Sequence, residues 1–532
     1  MRYFGWIFIF FITLYIIPLG SRPMLSPVEF DFAETAREML ETGHGVTPPE
    51  VPGGTSACAM APNRFPMAYW LTVACFKLFG INNFSARLPA ALAAGLAAVL
   101  ISVLIRQSLR DEKLASLVSM IYMSFLMVYL TGNLALAEGI FAAFNTGCVG
   151  TLFLALQEQS FNRRKFLLLA IAGGFTALAF LSGGIEAVIY PAVTLIAYLL
   201  ICGKLRELPV IALPSLFFAA LPLIPWALCL REKMPNYWQE LLRLHHFTAG
   251  FGSFPWYVYP AAAVIGLVPV IILLPAALMT GRESWKRLFR QPLCRYATCA
   301  LAMPLVVMMI CRNVSPATVL ICFPALAVLI TLGIQAYFNN GGHHRAYDWM
   351  MNLWALLLIA TGILEAAGWF FRDRVEAYLE ALPVTPMALI ILGVTSIIGG
   401  GVILYSRRGN WRSRLYLFFF SLAILPLGVS WCITGGRRLP EHALRSFIDG
   451  NHIRHEPGSV ILTGCRLGSA VSWCAAGCEV KILDGAAALK RNGIRYVILE
   501  CDDPAWKTLP KPDRLSCNGP FTCAVFTGGD NR

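Results

Sequence analysis

Apolar residues in this chain come in runs separated by short polar stretches, and the runs recur roughly every 25 to 35 residues. Each is long enough to cross a bilayer as a helix. About thirteen can be counted, at approximately 4–20, 84–105, 114–132, 134–156, 165–181, 184–201, 207–229, 256–280, 293–311, 316–337, 349–369, 384–405 and 413–434. Three regions break the rhythm: 21–83 after the first run, 230–255, and everything beyond Thr434. Within the first of these, Ser26–Thr47 carries Phe32, Ala33, Ala36, Met39 and Leu40 at helical spacing, which predicts an amphipathic helix. Asp31, Glu34, Glu38 and Glu41 fall on its opposite face, predicted to be wet. Glu29 falls on the apolar stripe near the helix start, where a lone acid is costly to desolvate, so it is expected to face a substrate cavity.

Beyond Thr434 the period changes. VILT (460–463), VKIL (480–483) and YVILE (496–500) are short β-rich runs separated by segments that suit short helices, so residues 435–532 are expected to form a small α/β domain after a membrane domain over 1–434. Residues 1–20 hold one Arg and a long apolar run without a small-residue cleavage site, which predicts an uncleaved first span.

Composition agrees with a polytopic membrane protein. Of 532 residues 57% are hydrophobic and only 14% charged, and the mean hydropathy is +0.63, whereas soluble domains carry about a quarter charged residues. The net charge of +13 would suggest nucleic acid in a soluble chain. Here the basic residues cluster in every second loop, which is what the positive-inside rule produces, and no nucleic-acid partner is expected. The clusters include Arg106, Arg110 and Lys113; Arg163, Arg164 and Lys165; and Arg407, Arg408, Arg412 and Arg414. Those loops are then cytoplasmic, with the N-terminus inside and the three irregular regions outside. Six cysteines of the tail (Cys465, Cys474, Cys478, Cys501, Cys517 and Cys523) could pair there in fifteen ways.

The candidate chemistry gathers at that outer face. Glu138 enters its span one turn deep, and Glu186 does the same two spans later; ionisable residues inside spans are costly and mark function. Near span ends they can also simply reach the interface. His245 and His246 lie in the 230–255 loop among aromatics and suit either a metal or an interfacial belt. Arg64 and Arg312, at outer span ends, suit a phosphate or interfacial snorkelling. Acids, histidines and fixed positive charges above an apolar vault fit a lipid phosphate better than a soluble ion.

The segments PLGSRPMLSPVEFDFAETAREMLETGHGVTP, NRFPMAYWLTVACFKLFGINNFSARLPA, LALAEGIF and PNYWQELLRLHHF followed by FPWYVYPAAAVIGLVP, in that order, resemble the bacterial aminoarabinose lipid A transferases (ArnT) and their relatives among protein mannosyltransferases. The resemblance covers the whole chain. It implies a mainly α membrane protein of the GT-C glycosyltransferase fold, with about thirteen transmembrane helices and a small C-terminal α/β periplasmic domain. It further implies an undecaprenyl-phosphate sugar donor, a lipid, glycan or protein acceptor, and transfer on the periplasmic side of the bacterial inner membrane.

Carried over residue by residue, the resemblance is incomplete. Val28-Glu29 stands where the family has Asp-Glu, leaving Glu29 or Asp31 to serve, and the later family Asp corresponds to Glu138. His246 matches a family histidine that holds a divalent metal with a glutamate, but that glutamate corresponds to Arg64. Two family lysines become Phe65 and Gly183, and the family Pro-Thr-Tyr becomes Pro316-Ala317-Thr318. Catalysis is therefore expected from Glu29, Asp31 or Glu138, and phosphate binding from Arg64 and Arg312. The rival classes are an inactive relative that binds prenyl phosphate and a lipid-linked sugar transporter, the latter expected to carry internal repeats and midplane charges.

Overall fold

A computed structural model describes residues 2–20, 24, 27–43, 65–233, 254–278, 282–312, 314–339, 345–370, 386–406, 411, 413–422, 444–445, 448 and five strands and one helix between 460 and 525. Its helices, in chain order, begin with α1 (Arg2–Phe11), prolonged by a π-helical turn at Ile12–Ile16, then α2 (Pro27–Thr42), α3 (Pro66–Phe79) and α4 (Asn83–Leu109). They continue with α5 (Glu112–Met123), α6 (Leu126–Gly132), α7 (Glu138–Gln157), α8 (Arg163–Gly183), α9 (Glu186–Cys202), α10 (Leu208–Lys233) and α11 (Val258–Gly266). The last long ones are α12 (Pro292–Cys311), α13 (Phe323–Asn339), α14 (Arg345–Phe370) and α15 (Pro386–Tyr405).

Among the described residues, seven helices are long and apolar enough to cross a membrane, or eight if α5 and α6, bent by 71°, form one broken span. Several other expected spans are shorter, α9 among them. The single run expected over about 256–280 is broken into α11, a 3-10 turn at Val270–Leu273 and a short helix at Leu274–Leu278. Pro269, which offers no N–H, lies at that break.

Local chemistry starts and stops these helices. Asn82 caps α4 through the N–H of Ser85, whose hydroxyl in turn takes the Asn82 N–H, a reciprocal capping box. Asp111 caps α5 and Asn162 caps α8 by accepting backbone N–H groups of the first turn. Within the bundle, small residues permit close approach: a Cβ on Gly173 of α8 would lie 2.4 Å from the Ser215 carbonyl of α10. On α10 the exposed Leu213, Phe217, Leu221, Ile224 and Leu228 form one stripe at helical spacing, as a lipid-facing surface requires.

The tail contributes a five-stranded sheet in the order β2-β1-β3-β5-β4. Its strands are β1 (Val460–Thr463), β2 (Glu479–Ile482), β3 (Ile494–Glu500), β4 (Arg514–Asn518) and β5 (Phe521–Val525), with α16 (Gly468–Cys474) between β1 and β2. The first three strands run parallel to one another, and β5 is antiparallel to both of its neighbours, β3 and β4, in keeping with the α/β pattern of the sequence. Cys465, Cys478 and Cys501 lie outside the described residues. Helix α16 packs on α2. Trp473 sits beside Phe76 of α3, with ring centroids 6.1 Å apart, and its indole N–H donates to Asn83 at the start of α4 over 3.3 Å.

Candidate functional site

The α2 helix lies deep in the protein. Glu29 is 0% exposed, and Asp31, Glu34 and Arg37 are buried too. The face carrying Asp31 and Glu34, expected to be wet from periodicity alone, is thus enclosed: α3 packs on α2, with Phe32 stacked on Tyr69 at 4.7 Å, and α16 packs on it as well. Glu34 is ion-paired to Arg37 one turn along the same helix.

Glu29 is not a lone acid. Arg87, four residues into α4 and also 0% exposed, grips it through two parallel bonds, Nε to Oε1 at 2.8 Å and Nη2 to Oε2 at 3.1 Å. The third guanidinium nitrogen donates to the Leu19 carbonyl at 3.1 Å. Oε1 also accepts the backbone N–H of Ala135 at 3.0 Å. One carboxylate therefore ties the end of the first span, α2, α4 and the loop into α7 to a single point. Asn133 of that loop donates to the Tyr129 carbonyl at 3.0 Å. Three residues beyond Ala135, Glu138 opens α7. A buried carboxylate held by three bonds is fixed in place, so its geometry suits positioning.

Glu138 and Glu186 are the first residues of α7 and α9. One turn further in, Phe141 and Tyr190 meet with centroids 6.4 Å apart, which puts the two helix starts at the same level. Glu186 lines a small cavity of about 300 Å³ with Tyr190, Cys311 and Val314. Arg312, between the last two, is half-buried and closes α12 in the left-handed region at φ 60°. Its carbonyl accepts the Phe254 N–H at 3.0 Å. Glu29, Glu138, Glu186 and Arg312 thus share one end of the bundle, and Asp31 lies two residues beyond Glu29 on α2. Arg64, His245 and His246 lie outside the described residues. Among the described residues no three His, Cys, Asp or Glu side chains group as metal ligands.

The positions of the two family lysines are apolar here. Phe65 lies edge-on to Phe180 at 6.3 Å and rests on Gly184, where an added Cβ would fall 2.3 Å from the ring and where φ is +75°. Gly183 backs in the same way onto Phe141. Val28 is 42% exposed whereas its neighbour Glu29 is enclosed, so the first position of the Val-Glu pair is the one that faces out.

Below this charged end, α4, α7, α9, α12 and the segment around α13 surround a second cavity of about 600 Å³. Tyr190 borders both hollows. Neither Arg87 nor Tyr190 was singled out by sequence reasoning. For Arg87 a signal existed: an arginine inside an apolar run, in SARLPAALAAG, must find a partner in the bundle.

The architecture has the GT-C fold. It superposes on ArnT from Cupriavidus metallidurans bound to undecaprenyl phosphate with a TM-score of 0.76 over 98% of both chains, at 15% identity. Superposition on the Archaeoglobus fulgidus oligosaccharyltransferase gives 0.50 over 94% of this chain and 68% of that one, at 13% identity. Residues 61–228 match the dolichyl-phosphate-mannose-protein mannosyltransferase family. The undecaprenyl phosphate-alpha-4-amino-4-deoxy-L-arabinose arabinosyl transferase of Aeromonas hydrophila is 26% identical over 98% of this chain and 96% of its own. The Edwardsiella ictaluri protein of the same name is 27% identical over 83% and 78%. The chain is thus similar to the aminoarabinose transferases over nearly its full length and shares their fold.

Proposed function

We propose that this protein is an integral membrane glycosyltransferase that moves a sugar from a polyprenyl-phosphate donor to a lipid, glycan or protein acceptor at the periplasmic face of the inner membrane. The observation that carries the reading is the similarity to aminoarabinose transferases over nearly the full length of both chains. The buried Glu29–Arg87 pair, which holds the loop into α7, supports the same reading from geometry.

In this reading the donor phosphate lies near Arg312 and Arg64 at the rim, and its prenyl chain lies along the apolar spans. The acceptor oxygen attacks the anomeric carbon as the bond from that carbon to the lipid phosphate breaks. The phosphate leaves with the bonding electrons, and the acceptor proton passes to a carboxylate. Glu138 is the acid best placed to take it, because Glu29 is committed to Arg87 and Ala135. A carboxylate also offsets positive charge developing on the sugar. Asp31 and Glu186 line the same end and complete the acidic surroundings. A divalent metal at His246 would supply Lewis-acid help to the leaving phosphate; no step above requires it.

The decisive experiment is mass spectrometry of envelope glycolipids and glycoproteins from cells with and without the gene. A sugar missing only without the gene supports transfer and names donor and acceptor; identical profiles overturn it. A second reading, a relative that binds prenyl phosphate without transferring sugar, is favoured by the exposed Val28. Binding of polyprenyl phosphate with no transfer to any acceptor would establish that one.

A further inference from the structure

The larger cavity holds one group that nothing above uses. Asn145 sits seven residues into α7, about 10 Å below Glu138 at 1.5 Å per residue. Its side chain lines the cavity and is 3% exposed. The carboxamide oxygen is buried with no hydrogen-bond partner among the described residues. A buried amide left unsatisfied in an apolar span is expensive, so a site that keeps one points to a ligand.

The neighbours do not supply that partner. Thr146 and Thr194 donate to the carbonyls one turn back on their own helices, Ala142 and Tyr190, at 2.7 and 2.8 Å. Tyr296, from α12, donates to the Val149 carbonyl at 2.9 Å. Those hydroxyls can accept a bond from an occupant, but each donor is already placed. Apart from Tyr190 the rest of the lining is apolar and mainly aliphatic, including Ile101, Leu293, Ala297, Ile321 and Val328.

Two limiting occupants fit poorly. Water has the right polarity, but each molecule needs about two to four polar partners, so water could sit beside Asn145 without being anchored along the predominantly aliphatic walls. A pure hydrocarbon chain would fill the space and leave the amide unbonded. A chain that is apolar along its length and carries one hydroxyl meets both demands: its O–H donates to Asn145 Oδ1 and its body packs on the aliphatic walls.

We propose that the cavity between α4, α7, α9, α12 and α13 is a binding site for a hydroxyl-bearing alkyl chain, with Asn145 as the residue that selects the hydroxyl. The site goes beyond the sugar-transfer reading and does not depend on it, since its test is binding alone.

The test uses the full-length protein in lipid nanodiscs, with 5-decanol and decane as a matched pair at equal mole fraction in the bilayer. Binding is read as the shift in thermal unfolding midpoint and as crosslinking of a diazirine-bearing 5-decanol, mapped by mass spectrometry. Wild type is expected to be stabilised by the alcohol and not by decane, with crosslinks in α7 and α9. Asn145→Leu is expected to remain folded and to weaken alcohol binding about tenfold, the loss of one buried hydrogen bond. Ala297→Leu, which fills the cavity from the opposite wall with the amide intact, should abolish the crosslinks and covers the case of an Asn145 variant that misfolds. Equal effects of alcohol and decane, an alcohol effect that survives both substitutions, or no effect of either probe on wild type would overturn the proposal, the last leaving water as the occupant.

Discussion

Two arginines are buried at opposite ends of this molecule, and they are held in different ways. Arg87 is enclosed together with its carboxylate partner, makes two parallel bonds to Glu29, and reaches a main-chain carbonyl with its remaining nitrogen. Arg414, 2% exposed, pairs with Asp348, which remains 34% exposed, and donates to Asn352 at 2.7 Å. Its Nε has no partner among the described residues. The Tyr347 ring lies 6.0 Å from the Arg414 guanidinium, and its hydroxyl donates to the Trp411 carbonyl. The first cluster joins four stretches that converge where the acids are; the second pins α14 to the segment around Trp411–Arg414. A buried charge pair with every valence used fixes a geometry, whereas a half-wet pair at a helix end mainly staples two elements together.

That contrast can be broken experimentally. The largest effect is expected from Arg87→Met, which strands the Glu29 carboxylate in the interior at a cost of about 3–5 kcal/mol; thermal unfolding in nanodiscs reads it. The double variant Glu29→Gln with Arg87→Met should recover much of that stability and still lack normal transfer, because the loop at Ala135 loses its charged acceptor. Full transfer activity in the double variant would reduce the outer cluster to a staple as well. Next comes Glu138→Gln, expected to fold normally, to bind polyprenyl phosphate as wild type does, and to lose about 100-fold or more in turnover. Arg414→Met should cost about 1.5–3 kcal/mol, the scale of a hydrogen bond to a charged group, with prenyl-phosphate affinity unchanged. The smallest effect belongs to Asn83→Ala, which removes the long bond to Trp473 and should destabilise by no more than about 1 kcal/mol, detectable as faster proteolysis of the tail.

Periodicity located α2 well: a helix expected within Ser26–Thr47 is observed at Pro27–Thr42. It misjudged the surroundings. A stripe of acids reads as a solvated face because charge is normally kept wet, and the local pattern cannot reveal that α16, more than 400 residues downstream, covers the helix. The placement of Glu29 on a buried face was legible for the same reason that its role was not: spacing gives the direction of a side chain, but the partner comes from another span. Glu138 and Glu186 stood out as acids at the starts of apolar runs. The break near Pro269 was also written in the chain, as Gly-Leu-Val-Pro within an apolar run, but hydropathy alone passes over it. Asn145 gave no signal, since a single amide in a long apolar run is usually bonded across to a neighbouring helix.

The seat of Trp473 is made by Phe76 and Asn83, so residues near the start of the polypeptide receive their final cover from residues near its end. During synthesis the acid-bearing helix must therefore wait, uncovered, while all the intervening spans are inserted. Completion of the acid-bearing end is for that reason a late event in biogenesis, and a ribosome that stops before the tail is made leaves that helix without its final cover.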